Sequence, residues 1–237
     1  MQRVLAFSIS LALVTACARK ESLATERSPE GHREATAPDV ARDSPAVAAP
    51  LVVFLGDSIT AGFELPAAEA FPALLEARLA ARGVTIRQVN AGVSGDTSAG
   101  GLRRVDWLLK QRPDVVVVEL GGNDGLRGAP IEGIEQNLRT IVEKVRAAGA
   151  VPLLLGMRLP PSHGQAYTDG FAALYPRLAE ALSVPFVPFF MADVAGVREL
   201  NLPDGIHPTA RGHVRLAERL EEPLRALLAT LDAGAPR

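Results

Sequence analysis

Leu51-Val52-Val53-Phe54-Leu55-Gly56-Asp57-Ser58-Ile59-Thr60 is an apolar run that stops abruptly in Gly-Asp-Ser. Five consecutive apolar residues bounded by a turn signal read as a strand buried on both faces. A serine just past the carboxyl end of such a strand falls where open α/β sheets place their ligands. Out of context Gly-Asp-Ser is an ordinary turn. Behind a buried strand it puts the Ser58 hydroxyl at the ligand edge, which makes Ser58 a candidate nucleophile.

Downstream, strand and helix alternate, which implies a parallel sheet covered on both faces. The expected elements are strand Leu51–Leu55, helix Ala68–Arg82, strand Thr85–Val89, helix Ser98–Gln111 and strand Val115–Leu120, with its four consecutive valines. Helix Ile131–Ala148, strand Val151–Met157, helix Ala166–Leu182, a short strand Phe186–Val187 and a last helix from about Pro208 follow. That last helix is expected to turn Val214, Leu216 and Leu220 inward, and Pro223 to kink or restart it. The predicted fold is a three-layer α/β/α sandwich on a five-stranded parallel sheet, flavodoxin-like in its order 2-1-3-4-5.

A serine hydroxyl needs a base. Asp204-Gly205-Ile206-His207-Pro208 offers one. Pro208 biases His207 toward extended backbone. Asp204, three residues back across a glycine, can reach the imidazole Nδ1 and leave Nε2 for the Ser58 proton. Taken alone, the segment also fits a histidine capping a helix beside a solvated aspartate. Acyl transfer further requires donors aimed at an oxyanion. The Ser58 N–H, the Gly92 N–H and the Asn123 side-chain amide are the candidates, although the glycines here also fit plain turns. His213 reads as a surface histidine, and His163 sits in a Pro-rich loop bordering the pocket. One cysteine and no His-x-x-x-His pair give no case for a metal site, and no cofactor is expected.

The chain has 237 residues, 22% of them charged, with a formal net charge of −2. Neither the charge nor any basic stripe suggests nucleic acid. The amino terminus has the form of an export signal over Met1–Ala16: Arg3, then an apolar stretch too short to span a bilayer. Small residues precede Cys17, the expected lipidation site, so membrane attachment through an acyl anchor is predicted. Residues 17–50, rich in Ala, Pro, Ser, Glu and Arg, lack apolar periodicity and read as a disordered tether. The folded domain is expected over residues 51–231 with a short tail at 232–237, acting as a monomer in the periplasm.

Gly56-Asp57-Ser58, Gly92, Gly121-Gly122-Asn123-Asp124 and Asp204-Gly205-Ile206-His207-Pro208 together resemble, in order, the four sequence blocks of the SGNH (GDSL) hydrolases. Ser94-Gly95-Asp96-Thr97-Ser98, Val118 to Gly128, Arg158-Leu159-Pro160 and Pro188-Phe189-Phe190-Met191 resemble the bacterial thioesterase/lysophospholipase/arylesterase subgroup of that family. The resemblance covers essentially Leu51–Leu228. It implies a serine esterase acting on aryl esters, acyl thioesters and lysophospholipids, without a cofactor. Ser58, Asp204 and His207 would be the catalytic residues, and Ser58, Gly92 and Asn123 the oxyanion hole. Substrate contacts are implied for Asp57, Asp124, Gly125, Leu126, Leu159 and Pro160, with a flexible loop at about Gly125–Pro130 beside an acyl groove. The competing readings are a carbohydrate or peptidoglycan O-acetyl esterase, and a non-catalytic lipid-binding lipoprotein. A Gly-x-Ser-x-Gly elbow is absent, since Thr60 holds its last position.

Overall fold

The computed structural model describes residues 48–233. The expected signal segment, Cys17 and the tether up to residue 47 lie outside the described residues, as does the chain beyond Ala233.

Five parallel strands form one sheet: β1 (Leu51–Gly56), β2 (Arg87–Gly92), β3 (Val115–Glu119), β4 (Val151–Leu155) and β5 (Phe186–Val187). Their order is β2-β1-β3-β4-β5, the order expected by analogy with flavodoxin-like sheets. The helices are α1 (Ser58–Ala61), α2 (Phe71–Ala81), α3 (Ser98–Leu109), α4 (Gly122–Leu126), α5 (Ile131–Ala147), α6 (Gln165–Leu182) and α7 (Ala210–Ala233). α2 packs on α7, while α3 packs on α5 and α5 on α6. These two groups make the outer layers. The middle layer holds the core: Val52, Val53, Leu55 and Val115 to Val118 have no accessible surface. Each such buried side chain stabilises the fold by about 1.5–3 kcal/mol.

Several boundaries differ from expectation for local reasons. α2 starts at Phe71 rather than Ala68, because Ala67–Glu69 form a 3-10 turn and Pro72 supplies an N-terminal position. β2 extends through Asn90, Ala91 and Gly92, expected in a loop, because these residues pair with Phe54, Leu55 and Gly56. Gly122–Leu126, expected to be irregular, is a short helix. Pro208 bridges to Asn201 instead of opening α7, which starts at Ala210. α7 is a single helix that carries Pro223 inside it, and no new segment starts there.

The phase of α7 also corrects two side chains. Val214, expected inward, is 39% exposed, whereas His213, expected at the surface, is fully buried. Positions 213, 216, 217, 220 and 224 share one face at helical spacing, and Val214 falls outside that stripe. His213 Nδ1 accepts the Phe71 N–H at 3.1 Å, which satisfies an orphan donor at the start of α2. Burial, reinforced by the charge of His207, lowers the His213 pKa to about 4 from 6.5.

Between those values the unfolded chain binds a proton that the folded chain does not, so this contribution to stability falls as pH falls. It is complete above pH 6.5 and lost by about pH 4. The stability advantage of wild type over His213→Gln is therefore expected to shrink by about 3 kcal/mol across that window. Chemical denaturation of both proteins at several pH values measures it, and a constant difference would refute a neutral buried His213.

Candidate active site

β1 lies between β2 and β3, so the strand order reverses around it, and open sheets leave a crevice at that point. Gly56 pairs with Gly92 on one side and with Glu119 on the other. The segments following all three strands therefore leave the sheet at one edge. Asp57 caps α1, its Oδ1 accepting the Ile59 N–H at 3.0 Å, and Ser58 opens the helix with 7% of its surface exposed.

The Asn201–Pro208 loop brings the base. It is closed by the Leu202 N–H donating to the His207 carbonyl at 2.7 Å, with Gly205 at φ +70° in the turn. Asp204 Oδ1 accepts the backbone N–H groups of Ile206 and His207 at 2.8 and 3.0 Å. Its Oδ2 lies 2.7 Å from His207 Nδ1, and His207 Nε2 lies 2.9 Å from Ser58 Oγ. The Asp204 carboxyl works against partial desolvation. Hydrogen bonds from the His207 amide and ring and the Ile206 amide prevail and hold its pKa at about 2. An ionised Asp204 fixes the Nδ1–H tautomer, which leaves Nε2 as an acceptor for the Ser58 proton. Phe63 covers the imidazole, with ring centroids 4.3 Å apart. The sequence reading missed Phe63; its signal was an aromatic placed directly after Gly62, the left-handed residue that ends α1.

A cleft of about 600 Å³ opens beside Ser58. Ile59, Leu126, Met157, Leu159, Pro160, Phe189, Met191 and Ile206 line it, with Asp57, Asn123, Arg158 and His207 among its polar residues. That volume and apolar character suit an acyl chain or aryl group. Leu126, Leu159 and Pro160, expected to contact a substrate, thus line the cleft. Met157, Phe189 and Met191 join them although the sequence reading gave them no such role. Their signal was their position just past β4 and β5, on the same sheet edge.

Three expected assignments do not fit. Asp124 is buried away from the cleft, its carboxylate accepting the Ser98 N–H and Oγ–H, both at 2.7 Å. It ties α4 to α3. Gly125 does not line the cleft either; a Cβ there would lie 2.6 Å from the Phe171 ring, so it is a packing glycine. Gly92 is the third. Its N–H donates to Asn90 Oδ1 at 3.0 Å, and a backbone N–H carries one hydrogen. A Cβ on Gly92 would meet the Ala61 nitrogen at 2.2 Å, so glycine here admits α1 rather than a substrate. In the loop that follows β2, Gly95 takes φ +79° in a turn closed by the Asp96 N–H on the Val93 carbonyl. Among the described residues its own N–H has no acceptor.

The segment Gly125–Pro130 is tied at three points. Arg127 donates to the Gly95 carbonyl at 3.1 Å, His163 Nε2 lies 3.2 Å from the Leu126 carbonyl, and Tyr167 donates to the Ala129 carbonyl at 2.6 Å. Among the described residues no group of three His, Cys, Asp or Glu side chains is arranged to hold a metal ion.

Residues 54–215, which include every residue of this site, match the model of the GDSL-like lipase/acylhydrolase family. The chain belongs to that family. Among its relatives, "Esterase TesA" of Pseudomonas aeruginosa is 45% identical over 182 residues, covering 76% of this chain and 90% of the relative. "Thioesterase 1/protease 1/lysophospholipase L1" of Escherichia coli K12 is 44% identical over 184 residues, covering 77% and 87%. A solved structure described as the crystal structure of TesA superposes with a TM-score of 0.72 at 44% identity, covering 75% of this chain and 99% of that one. As a GDSL-like acylhydrolase, the chain is a hydrolase on the three-layer scaffold described above.

Proposed function

We propose that this protein is a serine esterase that cleaves carboxylic esters and thioesters through an acyl-enzyme. The observation that carries the reading is the 2.9 Å approach of His207 Nε2 to Ser58 Oγ at the mouth of an apolar cleft. Ser58 Oγ attacks the acyl carbonyl while His207 takes its proton. The tetrahedral oxyanion collapses, the alcohol or thiol leaves with the proton from His207, and a water molecule repeats the sequence on the acyl-serine. Asp204 stabilises the imidazolium formed at each attack.

The oxyanion would rest on the Ser58 N–H, the Asn123 Nδ2–H and, in place of Gly92, the Gly95 N–H. A donor with no protein acceptor is free for a substrate oxygen. Asn123→Ala is expected to lower kcat by about 10²–10³, or roughly 2.7–4 kcal/mol, with little change in KM. Steady-state kinetics on a p-nitrophenyl ester measure it, and an effect confined to KM would count against an oxyanion role.

Aryl esters, acyl thioesters and lysophospholipids are the proposed substrate classes. The apolar cleft is larger than an acetyl group needs, which favours longer acyl chains over a carbohydrate O-acetyl ester. A fluorophosphonate probe together with p-nitrophenyl esters of increasing chain length tests the reading. Labelling at Ser58 and turnover beyond acetate support it; no labelling of the folded protein would leave a lipid-binding module. Export and lipid attachment at Cys17 belong to the same proposal, supported by the sequence of the first seventeen residues. An enzyme so placed would meet lysophospholipids and external esters rather than cytosolic thioesters.

A further inference from the structure

Two carboxyl groups lie behind Ser58 without a role in the chemistry above. Asp57 is 3% exposed and Glu119, the last residue of β3, is 1% exposed. Glu119 Oε2 accepts the Thr60 hydroxyl at 2.8 Å and the Asp57 N–H at 3.3 Å, while no donor reaches Oε1. Asp57 Oδ1 accepts the Ile59 N–H, and its Oδ2 accepts Asn123 Nδ2 at 3.0 Å. The two carboxyls thus share one buried pocket behind Ser58. Gly56 makes room for this arrangement, since a Cβ there would lie 2.7 Å from Glu119 Oε2.

Two ionised carboxylates in one buried pocket repel each other, and burial disfavours the charge on each. Among the described residues no lysine or arginine is hydrogen-bonded to either group. Arg104, which reaches this end of β1, donates instead to Asp96 and to the carbonyls of Ala91 and Gly56. The charge of His207 also acts on Asp57, and both carboxyls act on the buried Tyr175. The Tyr175 hydroxyl donates to the Leu120 carbonyl. One proton between the carboxyls resolves the conflict. Glu119 is the more deeply buried and its Oε1 accepts no hydrogen bond, so a charge on it would be the less well solvated and Glu119 holds the proton. Asp57, with two N–H donors on its carboxylate, holds the charge. Burial, and then the charge of Asp57, push the Glu119 carboxyl well above the usual carboxylate range, and burial pushes Asp57 up to about 6.

We propose that Glu119 is a positioning residue: through the Thr60 hydroxyl and the Asp57 N–H it clamps the turn that carries Asp57, and Asp57 in turn holds the Asn123 amide with a free N–H toward the cleft. An ionised Asp57 accepts only, so it forces Asn123 to turn Nδ2 rather than Oδ1 inward. Nδ2 has two hydrogens; Asp57 takes one and leaves the other for the oxyanion. A second negative charge on Glu119 would drive the two carboxyls apart and loosen Asn123. The inference rests on the oxyanion role given to Asn123 above.

Glutamine at position 119 is uncharged and can still accept from Thr60 and the Asp57 N–H, which alanine cannot do. In the full-length enzyme, Glu119→Ala is expected to lower kcat toward the ~10²–10³-fold loss set by removing an oxyanion donor, with KM little changed. Glu119→Gln is expected to restore kcat to within an order of magnitude of wild type. Should Glu119→Ala fail to fold, melting temperatures of wild type and Glu119→Gln decide the matter. A carboxyl whose pKa is raised by folding contributes stability that declines as pH rises past its unfolded value, and glutamine removes that decline. The melting temperature of Glu119→Gln should therefore rise relative to wild type from about pH 5 to about pH 8. A difference that stays constant with pH, or a folded Glu119→Gln as inactive as Glu119→Ala, overturns the proposal. A wild type that neither turns over esters nor labels at Ser58 overturns the esterase reading instead.

Discussion

Ser58→Ala is expected to lower kcat by roughly 10⁶ while leaving the fold and the cleft in place. The side chain is short and 7% exposed, and in the folded protein its Oγ meets His207 Nε2 at 2.9 Å. Alanine removes that one hydrogen bond and no packing group, so melting temperature should hardly move. The loss is chemical. Without Oγ no acyl-enzyme forms, and only the oxyanion donors and the bound geometry remain to help a direct attack by water. Because nucleophile and base act as a unit, Ser58→Ala combined with His207→Ala is expected to be no slower than either alone. Measuring kcat for the two singles and the double, with fluorophosphonate labelling of each, checks this. Retention of more than a hundredth of wild-type turnover by pure Ser58→Ala would show that another group carries the attack.

Asp204→Asn is the second large effect, about 10⁴ in kcat with KM nearly unchanged. The carboxylate does two jobs: Oδ1 accepts two backbone N–H groups of its own loop, and Oδ2 accepts His207 Nδ1–H. An asparagine can keep the first job with its carbonyl. Its amide then points N–H at Nδ1, which turns Nδ1 into an acceptor and puts the imidazole hydrogen on Nε2. That tautomer cannot take the Ser58 proton. Asp204→Ala leaves the tautomer free to adjust, so asparagine should be as slow as alanine or slower. Parallel steady-state kinetics on the two variants test the point, and an asparagine variant within tenfold of wild type would refute it.

How far these residues could be read in advance varied with the kind of information each needed. Where a residue's role follows from its neighbours in the chain, the sequence was enough. Val115 to Val118 can only be a strand buried on both faces, and Asp204 can reach His207 across one glycine. Misreadings came where the answer depends on a partner distant in sequence. Gly92 looked like an open glycine in a loop, but the Asn90 side chain takes its N–H and α1 packs against it. Asp124 looked like a cleft residue until Ser98 was found holding both its oxygens. Val214 and His213 exchanged places because helical phase turns by about 100° per residue, so a shift of one position moves a side chain from solvent to core.

By itself, the sequence determined the alternating architecture and the set of side chains available at the sheet's carboxyl edge. Those follow from hydrophobic periodicity and from the turn residues at the strand ends, both of which are local properties, whereas the order 2-1-3-4-5 rested on likeness to flavodoxin-like sheets. The tertiary structure alone decided which donors lack a protein acceptor among the described residues, how Phe63 covers His207, and that Glu119 and Asp57 share a buried pocket. Each of these depends on distances between segments far apart in the chain. Hydrogen-bond saturation and desolvation are set by such distances, and no spacing along one strand or helix encodes them.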